Sequence, residues 1–164
     1  MRIVLDTNIF ISAALLGRVC EEIIQFCRFG KVNVFISKDI ISEIEDKLRL
    51  KFLWKNNQIE IFLDNIFEFC HLVEVNEKII LIKDNPDDDK ILECAISAKC
   101  DYIISGDRHL IKLGSYKNIK ILEPADFLFL IRKWKRLKVS TTIFTYFLWD
   151  KMRSKMIIST ELGL

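Results

Sequence analysis

Two apolar runs in this sequence end in an aspartate. Ile3-Val4-Leu5 leads directly into Asp6, and Tyr102-Ile103-Ile104 leads through Ser105-Gly106 into Asp107. Two further acidic segments stand where helices are expected to begin: Glu43 and Glu45 behind Ser37, and Asp87-Asp88-Asp89 behind Pro86. A continuous apolar run reads as a strand buried on both faces. An acid at its carboxyl end lies on the rim where open α/β sheets bind ligands. In a parallel sheet, strand C-termini and the starts of the following helices share one edge, so acids from four separate segments converge there. Gathered carboxylates repel one another unless cations are bound. Mg²⁺ and Mn²⁺ suit such a site, since they take carboxylate oxygens and keep part of their water. One or two such ions activate a water and stabilise the leaving oxygen of a phosphodiester. No histidine–cysteine ligand set, P-loop or Gly-x-Ser-x-Gly motif offers a rival chemistry.

Each acid also has a plain structural role open to it. Asp6 with Asn8 suits a helix cap, and Asp107 a turn and the cap of a short helix. Asp88 and Asp89 stand at a helix start, where the dipole favours acids. Glu43 and Glu45 both lie at the margins of the stripe Ile40, Ile41, Ile44 and Leu48, so spacing does not choose between them. The chemical reading rests on all four segments meeting at one edge.

The elements that must position these acids follow from the patterning. After the first strand, Ile9–Leu16 and Val19–Phe29 read as helices separated by Gly17, with Gly30 as terminator. Val32–Ile36 is the second strand, and Ser37 caps a helix over Lys38 to about Leu50. A helix is expected over Asn56–Phe69, then a short strand at Leu72–Val75 or Ile79–Ile82. An acidic turn-rich loop over 83–89 leads into a helix ending near Lys99. A strand over 101–107, a short helix over His109–Leu113, a strand over Ile119–Leu122 and a helix with Pro124 at its first position complete the body. Strands alternating with helices specify an α/β class, with a mainly parallel central sheet and helices on both faces.

The chain has 164 residues, 51% of them hydrophobic, enough for one ordinary domain with a sizeable core. No stretch approaches the ~20 apolar residues of a membrane span. The chain opens on a charged residue and a strand rather than a secretory leader, and a cytoplasmic location is expected. Five cysteines, Cys20, Cys27, Cys70, Cys94 and Cys100, form no Cys-x-x-Cys pair and read as buried reduced thiols. Net charge is unevenly spread. Residues 1–131 carry 17 basic and 21 acidic side chains, net −4, whereas 132–164 carry 8 and 2, net +6. We therefore divide the chain into a body, 1–131, and a C-terminal appendage, 132–164. The appendage begins with a basic run, Arg132 to Lys138. Further on it has an aromatic-rich stretch, Ile143 to Trp149, too short to span a bilayer.

With these motifs in place, the sequence resembles the PIN-domain nucleases. Val4-Leu5-Asp6-Thr7-Asn8 is similar to the family's opening motif, and Ser37-Lys38-Asp39-Ile40-Ile41-Ser42-Glu43 to its second acidic segment. Asn85-Pro86-Asp87-Asp88-Asp89-Lys90-Ile91-Leu92-Glu93 and Cys100-Asp101-Tyr102-Ile103-Ile104-Ser105-Gly106-Asp107 resemble the third and fourth. The resemblance covers roughly residues 1–131, and the nearest branch is the VapC-like toxin of toxin–antitoxin pairs. It implies a three-layer α/β/α sandwich and a Mg²⁺- or Mn²⁺-dependent endoribonuclease that leaves 5′-phosphate ends. It implies Asp6, Glu43, Asp88 and Asp107 as catalytic acids, with Asp6, Asp88 and Asp107 on the metal. It favours Glu43 over Glu45. The branch often has Asn where this chain has Asp89, a departure that leaves the choice between Asp88 and Asp89 open; we favour Asp88 and take Asp89 as supporting. Asn8 and Ser105 match supporting positions. Arg108, Lys90 and Lys38 are candidates for holding RNA phosphates. A homodimer and a small antitoxin partner are implied as well. A housekeeping RNA-processing nuclease, an idle PIN-like binding module and a phosphate-accepting receiver domain are the alternatives; the receiver lacks its paired acids and downstream lysine here.

Overall fold

The structure, a computed structural model, describes residues 1–15, 17–29, 32–79, 81 and 89–137, and of 134–137 the backbone alone. The chain divides into two units, Met1–Ile131 and Arg132–Leu164. Gly30, the acidic loop through Asp88, and the stretch from Lys138 onward, including Ile143 to Trp149, lie outside the described residues.

The order of elements is β1 (Arg2–Leu5), α1 (Thr7–Ala14), α2 (Arg18–Arg28), β2 (Asn33–Ile36), α3 (Lys38–Asp46), a π-helical turn (Lys47–Lys51), α4 (Asn56–Phe67), β3 (Cys70–Leu72), α5 (Asp89–Ser97), β4 (Tyr102–Ile104), α6 (Arg108–Leu113), β5 (Ser115–Tyr116), β6 (Ile119–Leu122) and α7 (Pro124–Leu137). The strands form one sheet in the order β3-β2-β1-β4-β6-β5. All neighbours are parallel except β5 with β6. From β1 the chain steps outward to β2 and β3, then returns to the other side of β1 for β4. Right-handed crossovers therefore put α1 to α4 on one face and α5 and α6 on the other. The direction of winding reverses between β1 and β4. A crevice opens at such a reversal, outside the strand C-termini.

The apolar runs behave as their composition requires. Ile3, Val4 and Leu5 are wholly buried, as are Ile103 and Ile104 beside them. The registers Val4↔Ile103 and Leu5↔Ile104 leave Asp6 and Ser105 as the next pair along, and the Asp6 N–H donates to the Ile104 carbonyl at 2.9 Å. Among the described residues no helix is long and apolar enough to cross a membrane.

Several boundaries differ from the sequence reading. The third strand is Cys70–Leu72, not Leu72–Val75 or Ile79–Ile82, because Val34 pairs with Cys70 and Ile36 with Leu72. Residues 76–79 and 81 stay out of the sheet and lie along α5 instead. The N–H groups of Asn76, Ile79 and Leu81 donate to Ser97 Oγ (3.4 Å), Glu93 Oε1 (2.8 Å) and Asp89 Oδ2 (3.0 Å). The helix expected through Leu50 is α-helical only to Asp46 and then widens into the π turn. The antiparallel strand β5 was not anticipated. It is closed by Lys117 and Asn118, both at positive φ (45° and 68°), the backbone of a tight hairpin without its usual glycine. Gly17 does separate α1 from α2, and the reason is a close approach. A Cβ there would stand 2.2 Å from Ser12 Oγ and 2.8 Å from its carbonyl oxygen.

Candidate active site

Both strand-ending acids cap the helix that follows. Asp6 adopts an extended backbone and accepts the Asn8 N–H at Oδ1, 3.3 Å away, so α1 starts at Thr7. Asp107 repeats the arrangement before α6, accepting the His109 N–H at 2.7 Å. The structural reading of each acid is therefore correct, and it coexists with the rim position. Ser105, wholly buried, ties the two segments together. Its hydroxyl donates to Asp6 Oδ2, while its oxygen accepts the Asp107 N–H at 2.9 Å.

Asp6 is 4% exposed, and Thr7 beside it is fully buried. Burial pushes the Asp6 carboxyl above its ordinary range. The Ser105 hydroxyl, the Asn8 N–H and the Lys47 ammonium oppose that shift, and the nearby Glu43 charge adds to it.

Glu43 is oriented from several sides at once. Its Oε1 pairs with Lys47 Nζ at 2.7 Å. Its Oε2 takes the Thr7 hydroxyl at 2.7 Å and lies 3.2 Å from Lys90 Nζ. Burial raises the Glu43 carboxyl, but these hydrogen bonds and the two ammonium charges outweigh it, so Glu43 stays below the usual carboxylate range. Lys47 reaches further, donating to Asn8 Oδ1 at 3.0 Å. Thus the Asn8 backbone supports Asp6, while its side chain holds Lys47.

The two acids of α5 that are described serve the chain running beside the helix. Asp89 is buried against the Leu81 N–H. Glu93 is buried against the Ile79 N–H and Lys78, and Lys78 also bridges to Asp39 at 3.2 Å. Sequence reasoning missed this role of Glu93. The available signal was one acid inside the otherwise apolar run Ile91-Leu92-Glu93-Cys94-Ala95, all of it buried. Asp88 lies outside the described residues. Lys38 and Arg108 are exposed first residues of α3 and α6.

The structure thus brings Asp6, Glu43, Ser105, Asp107, Asn8, Lys47 and Lys90 to the crevice beyond β1 and β4. Among the described residues, no three His, Cys, Asp or Glu side chains are grouped as a ready metal cage. The donor chemistry nevertheless fits a hard divalent cation. Asp6 is a buried carboxylate that makes no ion pair among the described residues, and its neighbours offer oxygen ligands. The five cysteines are free and buried. Burial raises the thiols of Cys27 and Cys70, and pushes those of Cys94 and Cys100 up to about 12, far from thiolate chemistry.

Comparison with known proteins agrees with this geometry. Residues 2–109, more than half of the chain, match the family model of the PIN domain, and the chain belongs to the PIN-domain family. Members of that family are generally nucleases that use divalent metals. No curated protein matches the chain in sequence. Among solved structures, it is similar in fold to VapBC2 from Rickettsia felis bound to a DNA fragment from their promoter. The TM-score is 0.55 at 15% identity, over 75% of this chain and 98% of that one.

Proposed function

We propose that this protein is a Mg²⁺- or Mn²⁺-dependent endoribonuclease of the VapC-like branch, acting in the cytoplasm as the toxin of a pair and held inactive by a small antitoxin. The observation that carries the reading is Ser105. One buried hydroxyl joins the acids ending two adjacent parallel strands, at the crevice where the winding of the sheet reverses. The fold shared with VapBC2 supports the toxin assignment and an antitoxin partner; the homodimer is part of the proposal.

Asp6, Asp88 and Asp107 would hold the ion. Bound there, it supplies an activated water and stabilises the charge that develops on the phosphorus oxygens. Ser105 fixes one Asp6 oxygen and the backbone of Asp107. Glu43, kept ionised by two ammonium groups, is a weak proton acceptor, so its role is to orient the attacking water. Asp88 is kept as the proposed ligand over Asp89, because one Asp89 oxygen is committed to the Leu81 N–H. Lys90, Lys38 and Arg108 supply positive charge for the RNA backbone.

The test is cleavage of total cellular RNA by the full chain with Mg²⁺ or Mn²⁺, with EDTA as control and product ends mapped. Metal-dependent fragments with 5′-phosphates are expected. Intact RNA under both ions overturns the proposal. Growth arrest on expression, relieved by a co-expressed small neighbouring protein, is the expected sign of the toxin role.

A further inference from the structure

Glu43 holds one ammonium at each oxygen, and the two lysines differ in what else they do. Lys90, in the first turn of α5, reaches Glu43 with a side chain only 18% exposed. Lys47, which opens the π turn, has a more exposed side chain and spans from Glu43 on α3 to Asn8 on α1. Its ammonium thereby lies across the same crevice as Asp6 and acts on that carboxylate electrostatically. Among the described residues of the crevice, Asp6, Glu43 and Asp107 are three acids and Lys47 and Lys90 two cations, so the lysines offset most but not all of the negative charge.

We infer that Lys47 is a phosphate-positioning residue, its ammonium parked on Glu43 and Asn8 until a divalent cation occupies the crevice and frees it to hold an RNA phosphate. This rests on the nuclease reading above. A divalent ion beside Asp6 repels the nearest mobile ammonium. Of the two lysines on Glu43, Lys47 is the more exposed, and its long flexible stem carries the charge outward with little change to the core. An acidic crevice cannot gather a polyanion unaided, so a cation released at its rim when the ion arrives supplies what the substrate requires. Lys47 stands one helical turn beyond Glu43, the end of the second acidic segment, in which Lys38 was the expected contact. Lys38 forms no bond to any site residue among those described, whereas Lys47 touches two.

Two binding measurements on the full chain test this without relying on turnover. Calorimetry with Mn²⁺ should show Lys47→Gln binding the ion about tenfold more tightly than wild type, because the ammonium that repels the dication is gone. Fluorescence anisotropy with a single-stranded RNA in Ca²⁺ buffer should show the same variant binding more weakly. Its salt slope should be smaller by about 0.7, the contribution of one single-strand phosphate contact. Lys47→Met, which keeps most of the stem, should repeat both results, and Lys47→Arg should restore the RNA slope. Lys117→Gln, a matched charge change beside β6 at the opposite end of the sheet, should alter neither quantity. If Lys47→Gln matches wild type in either measurement while wild type still cleaves RNA, the inference falls and the nuclease reading stands. If wild type binds neither Mn²⁺ nor RNA, both fall.

Discussion

The Ser105 hydroxyl donates to the Asp6 carboxylate from the neighbouring parallel strand, and both groups are buried. The bond links residues 99 positions apart in sequence, and through the Asp107 N–H it also sets the start of α6. Ser105→Ala removes one partner and leaves the other two short of a hydrogen bond. It should cost about 1–3 kcal/mol of stability in urea melts. By loosening Asp6 it should weaken Mn²⁺ binding at least about tenfold in calorimetry. Unchanged Mn²⁺ affinity would mean that Ser105 only ties the strands together.

Asp6→Asn separates stability from chemistry. Asparagine caps a helix as well as aspartate and fills the same space. The folded-state carboxyl is raised, so above that value the wild type keeps a charge in a site that disfavours it. The variant should therefore be more stable in melts at neutral pH, by an amount on the order of 1 kcal/mol. That advantage shrinks as pH falls through the raised value, and vanishes below the ordinary aspartate range. RNA cleavage should drop at least about a hundredfold. Full activity would remove Asp6 from the site.

Glu43 has the opposite sign. Its folded-state carboxyl is depressed, so it stabilises the fold above the ordinary glutamate value, and that contribution is lost as pH falls through the depressed one. Glu43→Gln should therefore lower stability by about 1–2 kcal/mol at pH 7, with Lys47 and Lys90 left without their shared anion. The gap between variant and wild type should close in melts taken at increasingly acid pH. A gap that is constant down to pH ~3 would show that charge is not its source.

Gly17→Ala probes the fold away from the crevice. The new methyl meets Ser12 at distances that force the α1–α2 junction apart, with an expected cost of about 1–3 kcal/mol by urea unfolding. The double variant Gly17→Ala with Ser12→Gly should recover part of that loss, since the nearest clashing atom is the Ser12 hydroxyl.

The parallel sheet was legible because Ile3-Val4-Leu5 and Ile103-Ile104 are apolar without alternation, as central strands must be. Asp6 and Asp107 were legible because they end those strands. The strand Cys70–Leu72 was misplaced because it is short, sits at the sheet edge and exposes His71 and Leu72, which leaves almost no periodicity to read. The hairpin at β5 was missed because Lys117-Asn118 takes positive φ without the glycine that marks such turns. The web of Thr7, Glu43, Lys47, Lys90 and Asn8 was beyond reach, since it joins side chains from three helices and the π turn, whose approach only the folded backbone defines. The strap along α5 belongs to the same class. Its bonds run from main-chain N–H groups to Ser97, Glu93 and Asp89, and no local pattern announces a carboxylate reserved for another segment's backbone.

The five shielded cysteines give this fold a built-in clock. No thiol can meet a bulky alkylating reagent until the layers around the sheet part. The rate of modification in native buffer therefore counts core openings, residue by residue once the labelled peptides are separated. Cys27 and Cys70 report the β2–β3 side, while Cys94 and Cys100 report α5 and the approach to β4. An ion or antitoxin that tightens one side alone would slow one pair of sulfurs and leave the other ticking.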